Sequence, residues 1–183
     1  MKYLIHAFFI SFIILVTSLT YAADNSNIDK ASNVVDDVAI NTKILARYAN
    51  DPLLNPFKIT VSSSNGEVAL SGQVDSDVQF ERAIIIAEST NGVKGVNGKD
   101  LKVKSSDQPF TDTYITAKIK GSLLKNEMVN GDNYSAWAIH VETENGVVFL
   151  TGKVKDNDQK IKVITLVKAI EGVKNVQEDL KFE

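Results

Sequence analysis

An internal repeat is the feature that most constrains how this chain of 183 residues can fold. Residues 66–74 read GEVALSGQV and residues 146–154 read GVVFLTGKV, with Gly, Val, Leu, Gly and Val in the same places. Further matched segments are 37–44 with 112–119, 92–96 with 172–176, and 100–103 with 179–182. Each copy is about seventy residues long, which exceeds the length of a solenoid repeat. The sequence therefore predicts two duplicated domains and not a stacked array.

The first 22 residues have the order of charge, apolar run and small residues that is typical of a secretory signal peptide. Lys2 precedes an apolar run over residues 7–16, which is short for a membrane span. We expect cleavage after Ala22, with an uncleaved N-terminal anchor as the alternative. Because the chain has no cysteine, we expect no lipid-modified cysteine, disulfide or thiolate metal site. The sequence therefore predicts an exported protein that is not a lipoprotein.

Composition and the repeat divide the rest of the chain into four parts. Residues 23–35 are polar and aperiodic, which is typical of a flexible leader. Residues 36–104 and 111–183 are the two copies, and residues 105–110 have the composition of a short linker. The formal net charge of −3 gives no overall attraction to nucleic acid, so we expect no partner of that class.

Each copy carries helical patterns before and after a predicted β-hairpin. Ile40, Ile44 and Tyr48 recur every four residues, which places them on one face of a helix. Asn65-Gly66 and Asn145-Gly146 lie between alternating segments and favour the tight turn of a hairpin. The helical residues that match in the second copy are Ile115, Ile119 and Leu123.

Alternating apolar residues predict the strands of each copy. Phe57, Ile59 and Val61 alternate before the first turn and predict a strand there. The matching residues of the second copy are Trp137, Ile139 and Val141. A second helix and a closing strand follow each hairpin, giving the order α-β-β-α-β. The predicted fold class is α+β, with each domain a three-stranded sheet and two helices on one face.

These patterns resemble the BON domain family. The run G-x-V-x-L-x-G-x-V, a capped helix and then G-V-x-x-V before a closing strand occur twice in this order. Asp51-Pro52 after the first helix also fits the family pattern, whereas the second copy departs from it with Glu127-Met128. The resemblance implies a role in the cell envelope with phospholipid association and, for the osmotic-stress type of member, a periplasmic chaperone-like role. It implies no enzyme activity.

The sequence offers little support for catalytic chemistry. His140 is the one histidine outside the predicted signal, and a lone histidine lacks the partners that acid–base or metal chemistry needs. Residues 92–99 look like a phosphate loop, but the spacing is wrong and Asp100 follows where Ser or Thr is required. We expect no catalytic residue, no cofactor and no metal site.

The first helix of the second copy carries a candidate surface for an anionic phospholipid or a protein partner. A stripe that includes Ala117 lies roughly opposite the predicted inward face, and three lysines flank it. Small and apolar residues edged by lysine suit an anionic lipid surface. The alternative is that the stripe packs on the first domain or is a tolerant helix face. The candidate residues are Lys118, Lys120, Gly121, Leu124, Lys125 and Met128.

The sheet of the second copy carries a second candidate surface. Val147 and Phe149 stand where the first copy has Glu67 and Ala69, on the strand face opposite the predicted core. An exposed apolar pair is costly in a free domain, so we expect that something covers it. The candidates are contact between the two domains, a client polypeptide or another subunit.

The predicted function is non-enzymatic binding in the periplasm. Apolar patches edged by lysine would contact anionic phospholipid or unfolded envelope proteins under stress. The alternative is a structural scaffold or adaptor that pairs with an envelope protein complex and does not bind lipid. Vesicle binding separates the two hypotheses.

Overall fold

The computed structural model describes residues 25–104, 111–130 and 138–183. The predicted signal peptide, the predicted linker and Trp137 lie outside the described residues. The chain divides into two compact units, residues 1–32 and residues 33–183. Of the first unit, the described residues 25–32 are helical. The second unit contains both copies of the repeat.

The order α-β-β-α-β occurs twice, which confirms the predicted fold class. The first domain contains α1 (Asn25–Ala49), β1 (Ile59–Ser64), β2 (Glu67–Val74), α2 (Asp77–Glu88) and β3 (Gly95–Val103). The second contains α3 (Thr111–Asn130), β4 (Ile139–Glu144), β5 (Val147–Val154), α4 (Asn157–Lys168) and β6 (Asn175–Phe182). Across the part of the chain that the structure describes, no helix combines the length and apolar character that a membrane crossing requires.

Each domain has one three-stranded sheet with the same topology. The central strand pairs antiparallel with the first strand through a hairpin and parallel with the last strand, giving the orders β1-β2-β3 and β4-β5-β6. Asn65 and Asn145 both have a φ of 54°, and the glycine after each also has a positive φ. This is the turn geometry that Asn-Gly favours, so both predicted hairpins are confirmed.

One face of each sheet is covered by helices. Val68 and Leu70 of β2 are buried, while Glu67 and Ala69, which alternate with them, are exposed. The predicted helical stripe is confirmed because Ile40, Ile44 and Tyr48 are all buried in the first core. Its counterparts in the second core are Ile115, Ile119 and Leu123. Each domain therefore has its own core on one side of its sheet and leaves the other face open.

Two expectations differ from the structure. The leader expected to be flexible is helical where it is described, because α1 begins at Asn25 and no glycine or proline interrupts the chain before Ala49. The strand expected from Phe57 begins at Ile59. Residues Pro56–Lys58 form a 3-10 turn, whose start is held by Asn55 accepting the backbone N–H of Phe57 at 3.0 Å.

Candidate functional site

The two domains contact each other through helices α2 and α3. Ala117 on α3 is buried in the core of the first domain, although α3 belongs to the second. The rings of Phe80 and Tyr114 lie 6.4 Å apart, and the Tyr114 hydroxyl donates a hydrogen bond to the carbonyl oxygen of Val96. The opposite face of α3 carries Ile115 in the second core. Helix α3 therefore contributes side chains to both cores.

Gly121 allows the two helices to approach closely. A Cβ atom at this position would lie 2.6 Å from Cβ of Glu88 and 3.1 Å from the carbonyl oxygen of Ile85. Both neighbours belong to α2, and one is a backbone atom that cannot rotate away. Any larger residue at 121 therefore requires the helices to separate.

Two lysines of α3 make polar contacts with the first domain. Nζ of Lys120 lies 2.6 Å from Oε1 of Glu81 on α2. The ammonium of Lys125 donates a hydrogen bond to the carbonyl oxygen of Val93, which precedes β3. These contacts lie on either side of Gly121 along α3 and join the second domain to the first.

A buried carboxylate lies at the centre of the α2–α3 contact. Glu88 is 4% exposed, and its Oε1 accepts the Ser122 hydroxyl at 3.1 Å, while Oε2 is buried without a hydrogen-bond partner. Lys118 is also buried, with Nζ 5.5 Å from the centre of the Tyr114 ring. Burial raises the pKa of Glu88 above its ordinary value, against the opposing effects of Lys118, Ser122 and Lys125.

The structure places most of the predicted lipid stripe at this contact. Lys118, Lys120, Gly121 and Lys125 all face the first domain, as described above, and Leu124 is half-buried. The side chain of Met128 lies outside the described residues. This arrangement matches the alternative in which the stripe packs on the first domain. Lipid contact at these residues stays a prediction.

The second predicted surface lies on the open face of the second sheet. Val147 and Phe149 are half-buried and alternate with Val148, which is fully buried in the core on the helix side. Phe149 pairs with Glu142 on β4 and with Gln177 on β6. The apolar ring therefore lies between two polar neighbours in the sheet. Its role as an interdomain or client surface stays a prediction.

The first domain presents exposed apolar side chains that sequence reasoning missed. Phe57 is 97% exposed, Val78 is 60% exposed and Leu53 is 50% exposed. The exposure of Phe57 was missed because its alternation with Ile59 resembles a strand. The signal that could have revealed it is Asn55-Pro56 directly before it, a pair typical of turns. We name these three residues the apolar tip.

Two ion pairs bring the segments of the apolar tip together. Nε of Arg82 on α2 lies 2.6 Å from Oδ2 of Asp51, and Oδ1 of Asp51 accepts the backbone N–H of Leu53 at 3.0 Å. Nζ of Lys58 lies 2.8 Å from Oδ2 of Asp75 just before α2. The loop after α1 and the start of α2 therefore lie at one end of the domain, and Val78 is one helical turn before Arg82.

Comparison with models of known protein families identifies the family of the chain. The BON domain model matches residues 36–105 and 111–183. The chain therefore belongs to the BON domain family and carries two BON domains in tandem, as the sequence pattern predicted.

Curated relatives of this protein align with most of the length of its chain. It is 34% identical over 161 residues to Osmotically-inducible protein Y of Escherichia coli (strain K12), covering 86% of this chain and 78% of that protein. It is 32% identical over 130 residues to the 21 kDa hemolysin of Actinobacillus pleuropneumoniae, covering 68% of this chain and 63% of that protein. It is 29% identical over 151 residues to Outer membrane lipoprotein DolP of Haemophilus influenzae (strain ATCC 51907 / DSM 11121 / KW20 / Rd), covering 81% and 75%.

Proposed function

We propose that this protein is a non-enzymatic periplasmic component of the cell envelope that associates with phospholipid membranes during osmotic stress. Two relatives support the setting, since one is named for osmotic induction and another for the outer membrane. The observation that carries the proposal is the apolar tip, at which Phe57 is 97% exposed. A large exposed apolar side chain beside other exposed apolar residues is typical of a contact surface, whereas scattered exposed methyl groups are not.

Insertion into a lipid interface removes the apolar surface of the apolar tip from water. Covering a phenylalanine side chain stabilises by roughly 1.5–3 kcal/mol, and aliphatic neighbours add to this. Lys58 and Arg82 lie beside the tip, but each is paired with a carboxylate of the same domain. The contact is therefore mainly apolar, and we expect it to depend only weakly on salt concentration.

The test is sedimentation of the protein with vesicles of phosphatidylethanolamine and phosphatidylglycerol. Phe57→Ser should weaken binding roughly tenfold, because the variant loses one large apolar contact. Val38→Ser is the matched control, since Val38 is an exposed apolar residue on α1. Equal binding by the protein and Phe57→Ser contradicts a contact at the tip. No binding by any form contradicts lipid association and favours the scaffold alternative.

A further variant addresses the lipid stripe predicted on α3. If Lys118→Glu, Lys120→Glu and Lys125→Glu together abolish vesicle binding while circular dichroism shows a folded protein, the lipid contact lies on α3 and not at the apolar tip. We expect instead that this variant loosens the α2–α3 contact and lowers thermal stability.

An exported polypeptide is the second candidate partner, supported by Val147 and Phe149. This apolar pair interrupts an otherwise polar open sheet face, and polar residues flank it on both neighbouring strands. Val147→Thr with Phe149→Thr should reduce suppression of aggregation of an unfolded outer-membrane protein, while Phe57→Ser leaves it unchanged. The reverse result would assign client binding to the apolar tip.

A further inference from the structure

The two domains differ in what covers the same surface. In the first domain, α2 and the start of β3 are covered by α3, and the apolar residues beneath it are fully buried. The corresponding surface of the second domain, formed by α4 and the start of β6, is partly exposed. The buried residues are Ile84, Val93 and Val96, and their half-buried counterparts eighty positions later are Ile164, Val173 and Val176. We name this surface the α4–β6 face.

The α4–β6 face lacks both of the acidic residues that its counterpart presents to α3. Glu81, which pairs with Lys120, corresponds to Ile161, and Ile161 is 53% exposed. Glu88, which accepts the Ser122 hydroxyl, corresponds to Lys168, which is exposed. An acidic surface that receives a lysine-bearing helix has therefore become an apolar and basic surface at the same place in the fold.

We propose that the α4–β6 face docks an amphipathic helix of another envelope protein, with an acidic residue at the position that Lys118 holds in α3. A helix is the occupant because the first domain seats one on the same combination of helix and strand. The acidic character follows from Lys168, since an opposite charge on the partner is favoured there. A small residue at the centre of the partner helix is required for the close approach that Gly121 permits.

A second copy of this chain does not have the chemistry of the missing occupant. The helix equivalent to α3 is α1, where Lys43 stands in place of Lys118 and Ala46 in place of Gly121. Lys43 would meet Lys168 with the same charge. The Cβ of Ala46 would occupy the position at which a Cβ on Gly121 comes within 2.6 Å of the facing helix. The tandem arrangement therefore does not extend into a filament by this contact.

The test uses two synthetic peptides with fluorescein labels, measured by anisotropy against the full protein. The first has the sequence of residues 111–130 with Lys118→Glu, and the second has the unaltered sequence. We expect the acidic peptide to bind about tenfold more tightly, because only it complements Lys168. The control protein variant is Lys153→Glu, which removes an exposed lysine from β5 and should leave binding unchanged.

Charge exchange makes the test specific to the α4–β6 face. Ile161→Glu with Lys168→Glu restores the acidic pair found in the first domain, so the preference should switch to the unaltered peptide. Both substitutions are at exposed positions, and circular dichroism checks that the fold is retained. Failure of the acidic peptide to bind, or an unchanged preference after the exchange, overturns the proposal.

Anionic vesicles distinguish a helix from a lipid surface. If Lys168→Glu abolishes vesicle binding while neither peptide binds, the face contacts lipid and the helix proposal is wrong. Phe57→Ser should leave peptide binding unchanged, because the apolar tip lies on the other domain. The helix proposal and the lipid function at the tip can therefore fail separately.

Discussion

Oδ1 of Asp112, in the first turn of α3, accepts the backbone N–H of Gly146 at 2.9 Å, and its Oδ2 accepts that of Asn145 at 2.7 Å. Asp37 makes the same pair of hydrogen bonds in the first domain, to Gly66 at 2.9 Å and Asn65 at 2.8 Å. One carboxylate thus satisfies two backbone donors of a tight turn and ties the first helix of each domain to its hairpin.

Asp112→Asn should destabilise the protein by about 1–3 kcal/mol. The amide offers one acceptor oxygen and an NH₂ group, so one turn N–H loses its partner and meets a donor instead. Urea denaturation measures the loss. Glu142→Gln, an exposed change in β4, is the control and should have no measurable effect. Equal midpoints for Asp112→Asn and the unaltered protein would show that the two bonds contribute nothing net.

Gly121→Ala should destabilise the α2–α3 contact even though alanine favours helix. Helix propensity alone predicts a gain in stability of roughly 1 kcal/mol, whereas overpacking costs about 1–3 kcal/mol. The sign of the change in stability therefore shows whether the helices are in close contact at this residue. Ala46→Gly is the matched control at the equivalent exposed position of α1, where only propensity acts. A stabilised Gly121→Ala variant in thermal denaturation would contradict the close approach.

Glu88 should make the stability of the protein fall as pH rises. Because burial raises its pKa in the folded state, the protonated form is favoured by folding. Its stabilising contribution is complete below the unfolded-state pKa and is lost as pH rises through the folded-state pKa. Glu88→Gln removes this loss, so the variant should gain stability relative to the unaltered protein as pH rises above the unfolded-state pKa. Urea midpoints measured over a series of pH values give the difference, with Glu142→Gln, an exposed change in β4, as the control.

Arg82→Met should destabilise the first domain more at neutral pH than in acid. Burial alone would raise the pKa of Asp51, but hydrogen bonds from Arg82 and from the backbone of Leu53 hold it below its ordinary value. This contribution is present above the unfolded-state pKa and is lost as pH falls through the folded-state pKa. We expect a loss of about 1–3 kcal/mol at pH 7 and a smaller loss at pH 3.

Lys58→Met is the control for that prediction, because Lys58 pairs with Asp75 and both side chains are nearly half exposed. Exposed ion pairs contribute little, so this variant should resemble the unaltered protein at both pH values. If both variants lose the same stability at pH 7, the burial of Asp51 does not strengthen its ion pair.

The repeat predicted the parts of the fold that local patterns control. Asn65-Gly66 specifies its turn through backbone preferences of two adjacent residues, and Ile40 and Ile44 specify a helical face through spacing. Phe57 was misplaced because alternation over five residues also fits a short turn before a strand. The bond from Asp37 to Gly66 joins residues that no local pattern connects. For α3, the sequence identified a second stripe but could not identify what it packs against.

The sharing of α3 between two cores has a consequence for the order in which the chain can fold. During synthesis from the N-terminus, the strands of the first domain are complete at Val103. Tyr114 and Ala117, which pack on its core, are synthesised later. Until these residues are present, Ile84 and Val96 are not covered, and the first domain exposes an apolar groove to solvent. The second domain therefore completes the cover of the first, and deletion of residues 111–183 should yield an aggregating fragment.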